Sequence, residues 1–322
     1  MSLDAQQRAD RLAALPWERS TTARKGVFAP FVASVRELVS HRQLLGLLVR
    51  RELKVRYKDS ALGFLWSLVR PITLLVIYYV AIGQFLGAAR GIPDFGLFVF
   101  AGLTIWGLYS DIITNSTTSI VNNAGLIKKV YLPREIFPLA ATGSALINFS
   151  IQFGVLVVAT LALQQFPVSW NLLYLPVAVL IVLVYGVAIG LLLSALNVYL
   201  RDIQYLVEVG LLVFFWASPI VYSWSFVVES ARRSELPWLE FVYLLNPISN
   251  ALLAFQKGIW KGGSEDRVMG VDASGADIVV AAQPWPADLD LRLLVVGVVG
   301  LVLLWIGQRV FARLQGNFAQ EI

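Results

Sequence analysis

The sequence predicts an all-α integral membrane protein with six transmembrane helices and cytoplasmic N- and C-termini. A cytoplasmic amphipathic helix precedes the first span, and short interfacial helices occupy the last outer loop. Three observations carry this prediction. Of 322 residues, 57% are hydrophobic and only 15% are charged, against about 25% charged in a soluble domain. With a mean hydropathy of +0.70, a soluble chain of this size could not hide its apolar surface, and disorder is excluded as well. Six apolar runs approach the roughly 20 residues that a bilayer core about 30 Å thick requires. Finally, Lys and Arg collect on one side of those runs, as cytoplasmic loops do.

The runs are Leu65–Leu86, Phe95–Ile113, Phe137–Leu163, Leu172–Leu196, Tyr205–Tyr222 and Leu291–Phe311. The fifth is short and ends at Ser218-Pro219. The first 64 residues, the second-to-third loop, the fourth-to-fifth loop and the C-terminal tail together hold eighteen Lys and Arg, and the opposite side holds six. The stretch 223–290 carries nine acidic residues against five basic ones, so it belongs outside.

Residues 1–30 read as a flexible cytoplasmic tail without apolar periodicity and without a cleavable signal peptide. From Phe31 to Lys58, Phe31, Val35, Leu38, Leu45, Val49 and Leu53 recur at helical steps with basic residues between them. Too charged to span, this segment lies in the interface. Its cations either fix topology alone or also bind an anionic headgroup. Residues 116–130 read as a short surface helix stopped by Leu132-Pro133. The stretch 223–290 is rich in aromatic residues over its first part, which suits short helices at headgroup depth. Residues 261–288 read as an exposed loop with a short strand at 278–281.

Several chemistries are absent. There is no Cys and a single His, His41, which reads as a solvated side chain. No phosphate-binding G-x-x-x-x-G-K-[ST] loop occurs, so the chain does not itself hydrolyse ATP. Intramembrane charge is sparse: Arg70 one turn into the first span, and Asp111 and Glu208 near the cytoplasmic ends of the second and fifth. Carboxylates at the midplane, which ion-coupled carriers use, are missing. Arg70 either snorkels to the interface or contacts an anionic substrate group.

The segment Arg51-Glu52-Leu53-Lys54-Val55-Arg56-Tyr57-Lys58-Asp59-Ser60-Ala61-Leu62-Gly63-Phe64-Leu65-Trp66, followed by Pro71, resembles the motif RDLKxRYxxSxLGxLW of polysaccharide-export permeases. These are the type-2 ABC exporters of O antigen, teichoic acid and capsule. Further likenesses follow in order: Phe98–Leu103, Leu126–Arg134, Leu196–Ile203, Ser218–Tyr222, Asn246-Pro247, and Phe311 with Gly316, Phe318 and Ala319. The resemblance covers residues 31–322 and departs at 261–288, which is longer than is usual for the family. It implies an ABC-2 type transmembrane domain over 31–322 and no enzymatic activity in this chain. Its partners would be a second copy and two copies of a separate ABC ATPase, which would carry the only cofactors, ATP and Mg. The expected location is the bacterial plasma membrane, the cargo a lipid-linked polysaccharide, and nucleic acid is no partner. Within the family, the likeness extends to the actinobacterial exporters of lipid-linked cell-wall galactan.

On that reading, Arg51, Lys54, Arg56, Lys58 and Arg70 are candidates for attracting the cargo's diphosphate at the cytoplasmic entrance. Phe98, Phe100, Trp106, Tyr109, Phe215, Trp216 and Tyr222 are candidate pore-lining aromatic residues, because sugar rings slide on aromatic faces; aromatic residues are equally routine at membrane interfaces. Asn122, Asn123, Leu126, Lys128, Lys129, Arg201 and Asp202 are candidates for coupling to the ATPase. Two other functions fit the architecture: a type-2 ABC pump for a drug or simple lipid, and a membrane glycan polymerase, which would need essential carboxylates.

Overall fold

The computed structural model describes residues 29–57, 65–85, 87, 92–130, 132–236, 238–271, 277–280 and 282–322. Residues 1–28 of the tail expected over 1–30 and Lys58 lie outside the described residues, as do the side chains of Arg56 and Arg70, while Ala29 and Pro30 belong to the first helix and not to a tail. Residues up to His41 and residues from Arg42 form two separate units.

The first unit contributes helix α1 (Ala29–Ser40). The single interface helix expected over 31–58 is therefore two helices, with the break at His41. At the break, Ser40 Oγ donates to the Glu37 carbonyl at 2.6 Å and His41 Nδ1 lies 2.8 Å from the same oxygen. The His41 amide also donates to the Glu37 and Leu38 carbonyls, at 3.2 and 3.1 Å, so side chains and backbone together cap the end of α1.

The second unit opens with α2 (Arg42–Tyr57) and α3 (Trp66–Tyr78), which runs on as a π-helix over Tyr79–Phe85. Then come α4 (Phe95–Asn122), the single turn α5 (Ala124–Ile127), α6 (Ile136–Ala162), α7 (Tyr174–Tyr199) and α8 (Ile203–Trp216). Three shorter helices follow, α9 (Trp224–Arg233), α10 (Trp238–Leu244) and α11 (Pro247–Ile259), and the turn α12 (Lys261–Ser264). A two-stranded antiparallel hairpin, β1 (Arg267–Val271) and β2 (Asp277–Val280), precedes the long α13 (Leu289–Leu314) and the terminal α14 (Phe318–Glu321). Among the described residues this hairpin is the only β-structure, and its second strand covers most of the expected strand.

Among the described residues, four helices are long and apolar enough to cross a membrane: Phe95–Asn122, Ile136–Ala162, Trp170–Tyr199 and Leu289–Asn317. The first and fifth expected spans are represented by shorter apolar helices, Pro71–Phe85 and Ile203–Trp216. The fifth stops early because Pro219 disfavours helical backbone at Ser218. In the outer segment, α10 and α11 are bent by 87°. The Asn246 side chain accepts from Ile248 N at 3.0 Å, and Pro247 opens α11 at a position where its missing N–H removes no helix bond.

The surface helix expected over 116–130 is also corrected. Residues 116–122 are not part of a separate surface helix: α4 runs unbroken from Phe95 to Asn122, and only the turn α5 lies beyond it. Of the polar residues in this segment, Ser116, Thr117, Ser119 and Asn123 are buried, whereas Asn122, Lys128 and Lys129 are exposed. Ser116 Oγ donates to the Pro138 carbonyl of α6 at 3.2 Å, while Thr117 and Ser119 bond carbonyls of their own helix.

Close contacts fix the helix directions. A Cβ on Gly186 would lie 2.9 Å from Ile112, and one on Gly190 would lie 2.8 Å from Ser116, so α4 and α7 run parallel with small residues at their crossing. Tyr174 donates to Asp290, Tyr185 to the Val296 carbonyl and Tyr199 to the Leu314 carbonyl, so α7 and α13 also run parallel. Helix α6 is antiparallel to α4, since Gly107 faces Gln152 while Ser116 bonds Pro138. Helix α8 is antiparallel too: Phe215 meets Trp106 and Ile220 meets Gly102. The π-helical end of α3 meets the start of α4, with Tyr79 and Phe95 rings 6.4 Å apart. The six apolar segments therefore alternate in direction. One end gathers α2, α5, the start of α6 and the C-terminal residues, where Gln308 donates to Glu135 and Arg134 lies 5.7 Å from the Phe318 ring. The opposite end gathers α9–α12 and the segment leading into α13.

Candidate functional site

A cleft of about 900 Å³ opens between α3, α4, α6 and α8. Its wall on α4 is a stripe: Leu103, Trp106 and Gly107, Ser110 and Asp111, then Thr114 and Asn115. These positions recur every three to four residues, so they share one helix face. Helix α6 adds Asn148 and Gln152, again four apart, and α3 adds Trp66 and Tyr78. The α8 wall is Glu208, Leu211, Leu212, Phe215 and Trp216.

The cleft is layered. Towards the α9–α12 end, Phe215 packs edge-on to Trp106 at 5.7 Å and to Trp216 at 5.5 Å, and stacks on Tyr78 at 5.9 Å. Such contacts contribute about 0.5–1.5 kcal/mol each beyond buried area. Seven residues from Phe215 to Glu208 advance about 10 Å along α8, and five from Trp106 to Asp111 about 8 Å along the antiparallel α4. Glu208 therefore comes to the level of Asp111–Asn115, and both carboxylates occupy one layer. Glu208 is exposed and Asp111 half-buried. Asn115 Nδ2 donates to the Asp111 carbonyl at 2.6 Å, which orients its amide along the stripe.

Of the expected pore aromatics, Trp106, Phe215 and Trp216 line this cleft together. Phe98, Phe100 and Tyr109 instead sit in the core; Phe98 packs on Trp260 at 4.8 Å and Tyr109 on the far side of Trp106 at 5.6 Å. Tyr222 belongs to the outer network, accepting from Tyr243 at 3.1 Å and donating to the Trp216 carbonyl at 2.7 Å, so it ties α10 to the end of α8. Sequence reasoning missed Trp66, Tyr78, Asn115, Asn148 and Gln152. The recurrence of polar residues along 107–115 and at 148/152 was the available signal.

At the opposite end, Lys54 and Arg51 on α2 are exposed, and Arg51 donates to Asn123 Oδ1. Asn123 is buried, with Nδ2 bonded to the Ser119 carbonyl at 2.7 Å. It ties α2 to the end of α4 and presents no free surface of its own. Asn122, Lys128, Lys129, Arg201 and Asp202 are exposed, and Leu126 is half-buried. Val49 of α2 presses on Gly143 of α6, where a Cβ would lie 2.7 Å away, so the interface helix is seated on the bundle.

A bundle of alternating apolar helices with a layered polar and aromatic cleft belongs to a multi-pass membrane protein, and the family model for ABC-2 type transporters matches residues 43–260. The chain belongs to this family. It is similar to the O-antigen export system permease protein RfbA of Myxococcus xanthus, 31% identical over 288 residues, covering 89% of this chain and 98% of that protein. The Klebsiella pneumoniae protein of the same name is 28% identical over 220 residues, or 68% of this chain and 81% of the relative. The polysialic acid transport protein KpsM of Escherichia coli is 23% identical over 206 residues, or 58% of this chain and 79% of the relative.

Proposed function

We propose that the chain is the permease subunit of an ATP-driven exporter that moves a lipid-linked polysaccharide out of the cytoplasm across the bacterial plasma membrane. It works as a homodimer with two copies of a separate ABC ATPase, which binds ATP and Mg. Both termini face the cytoplasm after six crossings, two of them made by the short helices α3 and α8. The alternation of directions supports this topology, as does the concentration of Lys and Arg at the end that carries α2, α5 and the C-terminal residues.

The observation that carries the reading is the cleft. Aromatic faces at Trp106, Phe215 and Trp216 stand beside amides and hydroxyls at Ser110, Asn115, Asn148 and Gln152. Sugars need both kinds of wall, since their C–H faces stack and their hydroxyls hydrogen-bond. The relatives named for O-antigen export support the same class of cargo. At the cytoplasmic end, Arg51 and Lys54, together with Arg56, Lys58 and Arg70, attract the diphosphate of the carrier lipid. The exposed residues Asn122, Lys128, Lys129, Arg201 and Asp202 meet the ATPase, which moves the helices as rigid levers. Cell-wall galactan is the cargo we favour.

Depleting the protein and profiling membrane glycans tests the reading. Full-length lipid-linked polymer should accumulate on the cytoplasmic face. Short precursors would point to a polymerase, and an unchanged profile to a pump for a drug or simple lipid.

A further inference from the structure

We infer that Gln152 reads the hydroxyls of the cargo, at a notch in the cleft wall that Gly107 leaves open beside it. The inference rests on the export reading above and deepens it by naming a specificity-determining contact.

Three amide side chains stand in the cleft wall: Asn115, Asn148 and Gln152. Asn115 Nδ2 donates to the Asp111 carbonyl, and Asn148 is engaged in an interaction of its own. Gln152 is half-buried and, among the described residues, hydrogen-bonds none. An amide left unpaired between membrane helices is costly, so its presence there calls for a reason.

Gly107 supplies the space in front of it. At Gly143, Gly186 and Gly190 a Cβ would come within 2.7–2.9 Å of a side chain on a neighbouring helix, so those glycines serve packing. At Gly107 the nearest such atom is Gln152 Oε1, at 3.5 Å, which is an ordinary contact. A side chain would therefore fit. Its absence keeps a gap on the α4 stripe between Trp106 and Ser110, facing the Gln152 amide. The gap adjoins the aromatic layer, where the Trp106 and Phe215 rings meet at 5.7 Å.

One chemistry suits this pairing. A sugar ring has an apolar C–H face and a rim of hydroxyls. With its face on the aromatic layer, its rim reaches the notch. The Gln152 amide carries a carbonyl acceptor and an NH2 donor side by side, so it can accept from one hydroxyl and donate to the next. A hydroxyl capped as an ester offers no proton to that carbonyl and brings bulk into the notch. A single neutral hydrogen bond contributes little once exchange with water is counted, so the contact lets go as the polymer slides. The sugar this wall fits has adjacent free hydroxyls.

The test uses cells in which this protein is the sole polysaccharide permease, supplied with a lipid-linked polymer of unesterified hexose. Surface polymer is quantified at matched membrane levels, and thermal stability is measured on the purified protein in detergent. Gln152→Met, similar in length but without the amide, should lower export severalfold while stability stays the same or rises. Gly107→Leu, which fills the notch, should lower export at least as far, again without loss of stability. Gly154→Leu, also on α6 but with nothing within 4 Å, should leave both measurements unchanged. Full export by either Gln152→Met or Gly107→Leu overturns the inference and leaves the export reading standing. Stability lost in step with export in both variants overturns it too, by assigning the pair to packing. No surface polymer from the unaltered protein overturns the export reading itself, and the inference falls with it.

Discussion

Helices α4 and α8 are both apolar, yet the chain treats them differently. Helix α4 is covered on nearly all sides by α6, α7, α8 and α11, and 78% of its most apolar window is buried. Along α8 only Val207 is buried, while Leu206, Val209, Leu212 and Val213 are each about 60% exposed. Hydropathy alone ranks the two the wrong way round, because α4 carries Thr104, Ser110, Asp111, Thr114, Asn115, Ser116, Thr117 and Ser119. In a bilayer the lipid is as apolar as Leu, so a fully apolar face can meet lipid while small and hydroxyl residues mark the packed interior. Thr104 and Thr117 each donate to their own helix four residues back at 2.7 Å, which makes them tolerable there.

The largest effect should come from filling the α4–α7 crossing. Gly190→Leu drives a side chain into Ser116, whose Cβ stands 2.8 Å from where the new Cβ would lie. Overpacking of this kind costs about 1–3 kcal/mol or more. Folded protein recovered in detergent should fall sharply, whereas Gly210→Leu on α8, with nothing within 4 Å, should leave recovery unchanged. Equal losses from both would erase the contrast between the helices.

The next effect concerns export. Trp216→Ala, on the exposed wall of the cleft, should lower export severalfold at unchanged membrane level, as loss of one aromatic contact of about 1 kcal/mol implies. Phe100→Ala should act instead through stability, because its ring is buried in the core. Measuring both export and thermal stability for each variant separates the two roles. If Trp216→Ala lowers stability alone, the cleft assignment fails.

A smaller effect attaches to the end of α4. Asn123→Ala removes the acceptor for Arg51 and should cost about 1 kcal/mol of stability. The native chain has no Cys, so single cysteines report ATPase contact cleanly. Asn122→Cys should cross-link to the ATPase, and Asn123→Cys should not, since Asn123 is buried. A strong cross-link from Asn123→Cys alone would reverse that picture.

The smallest effect is at the start of α13, where Arg292 hydrogen-bonds Asp288 at 2.8 Å and holds its carboxyl below the usual range. A depressed folded pKa stabilises above the unfolded value of about 3.9 and is lost as pH falls through the folded value. The site is largely exposed, so Asp288→Asn should cost only a few tenths of a kcal/mol at pH 7. The difference from the unaltered protein should vanish in strongly acidic solution, as melting curves at both pH values would register.

All six apolar segments and the basic interface segment are legible in the sequence, because each rests on local pattern. The unbroken run of α4 past Ile113 is not. Ser116, Thr117 and Ser119 look like surface in the sequence but are buried in the bundle. The break at His41, where the Ser40 and His41 side chains gather on the Glu37 carbonyl, is not something helical periodicity reports. Of the cleft, sequence supplied Trp106, Phe215, Trp216 and both carboxylates as separate features. Their meeting depends on α8 lying antiparallel to α4, a tertiary fact, and the contributions of α3 and α6 become visible only with it.

The shortness of α8 has a mechanical consequence for the surrounding lipid. Fourteen residues rise about 21 Å, some 9 Å less than an average hydrocarbon core. Acyl chains beside this helix must compress or splay to match it, with strain that grows for each ångström of mismatch. In the proposed six-crossing topology the bilayer is therefore thinned along the flank that carries the cleft, which shortens the greasy distance a hydrophilic strand entering there has to travel.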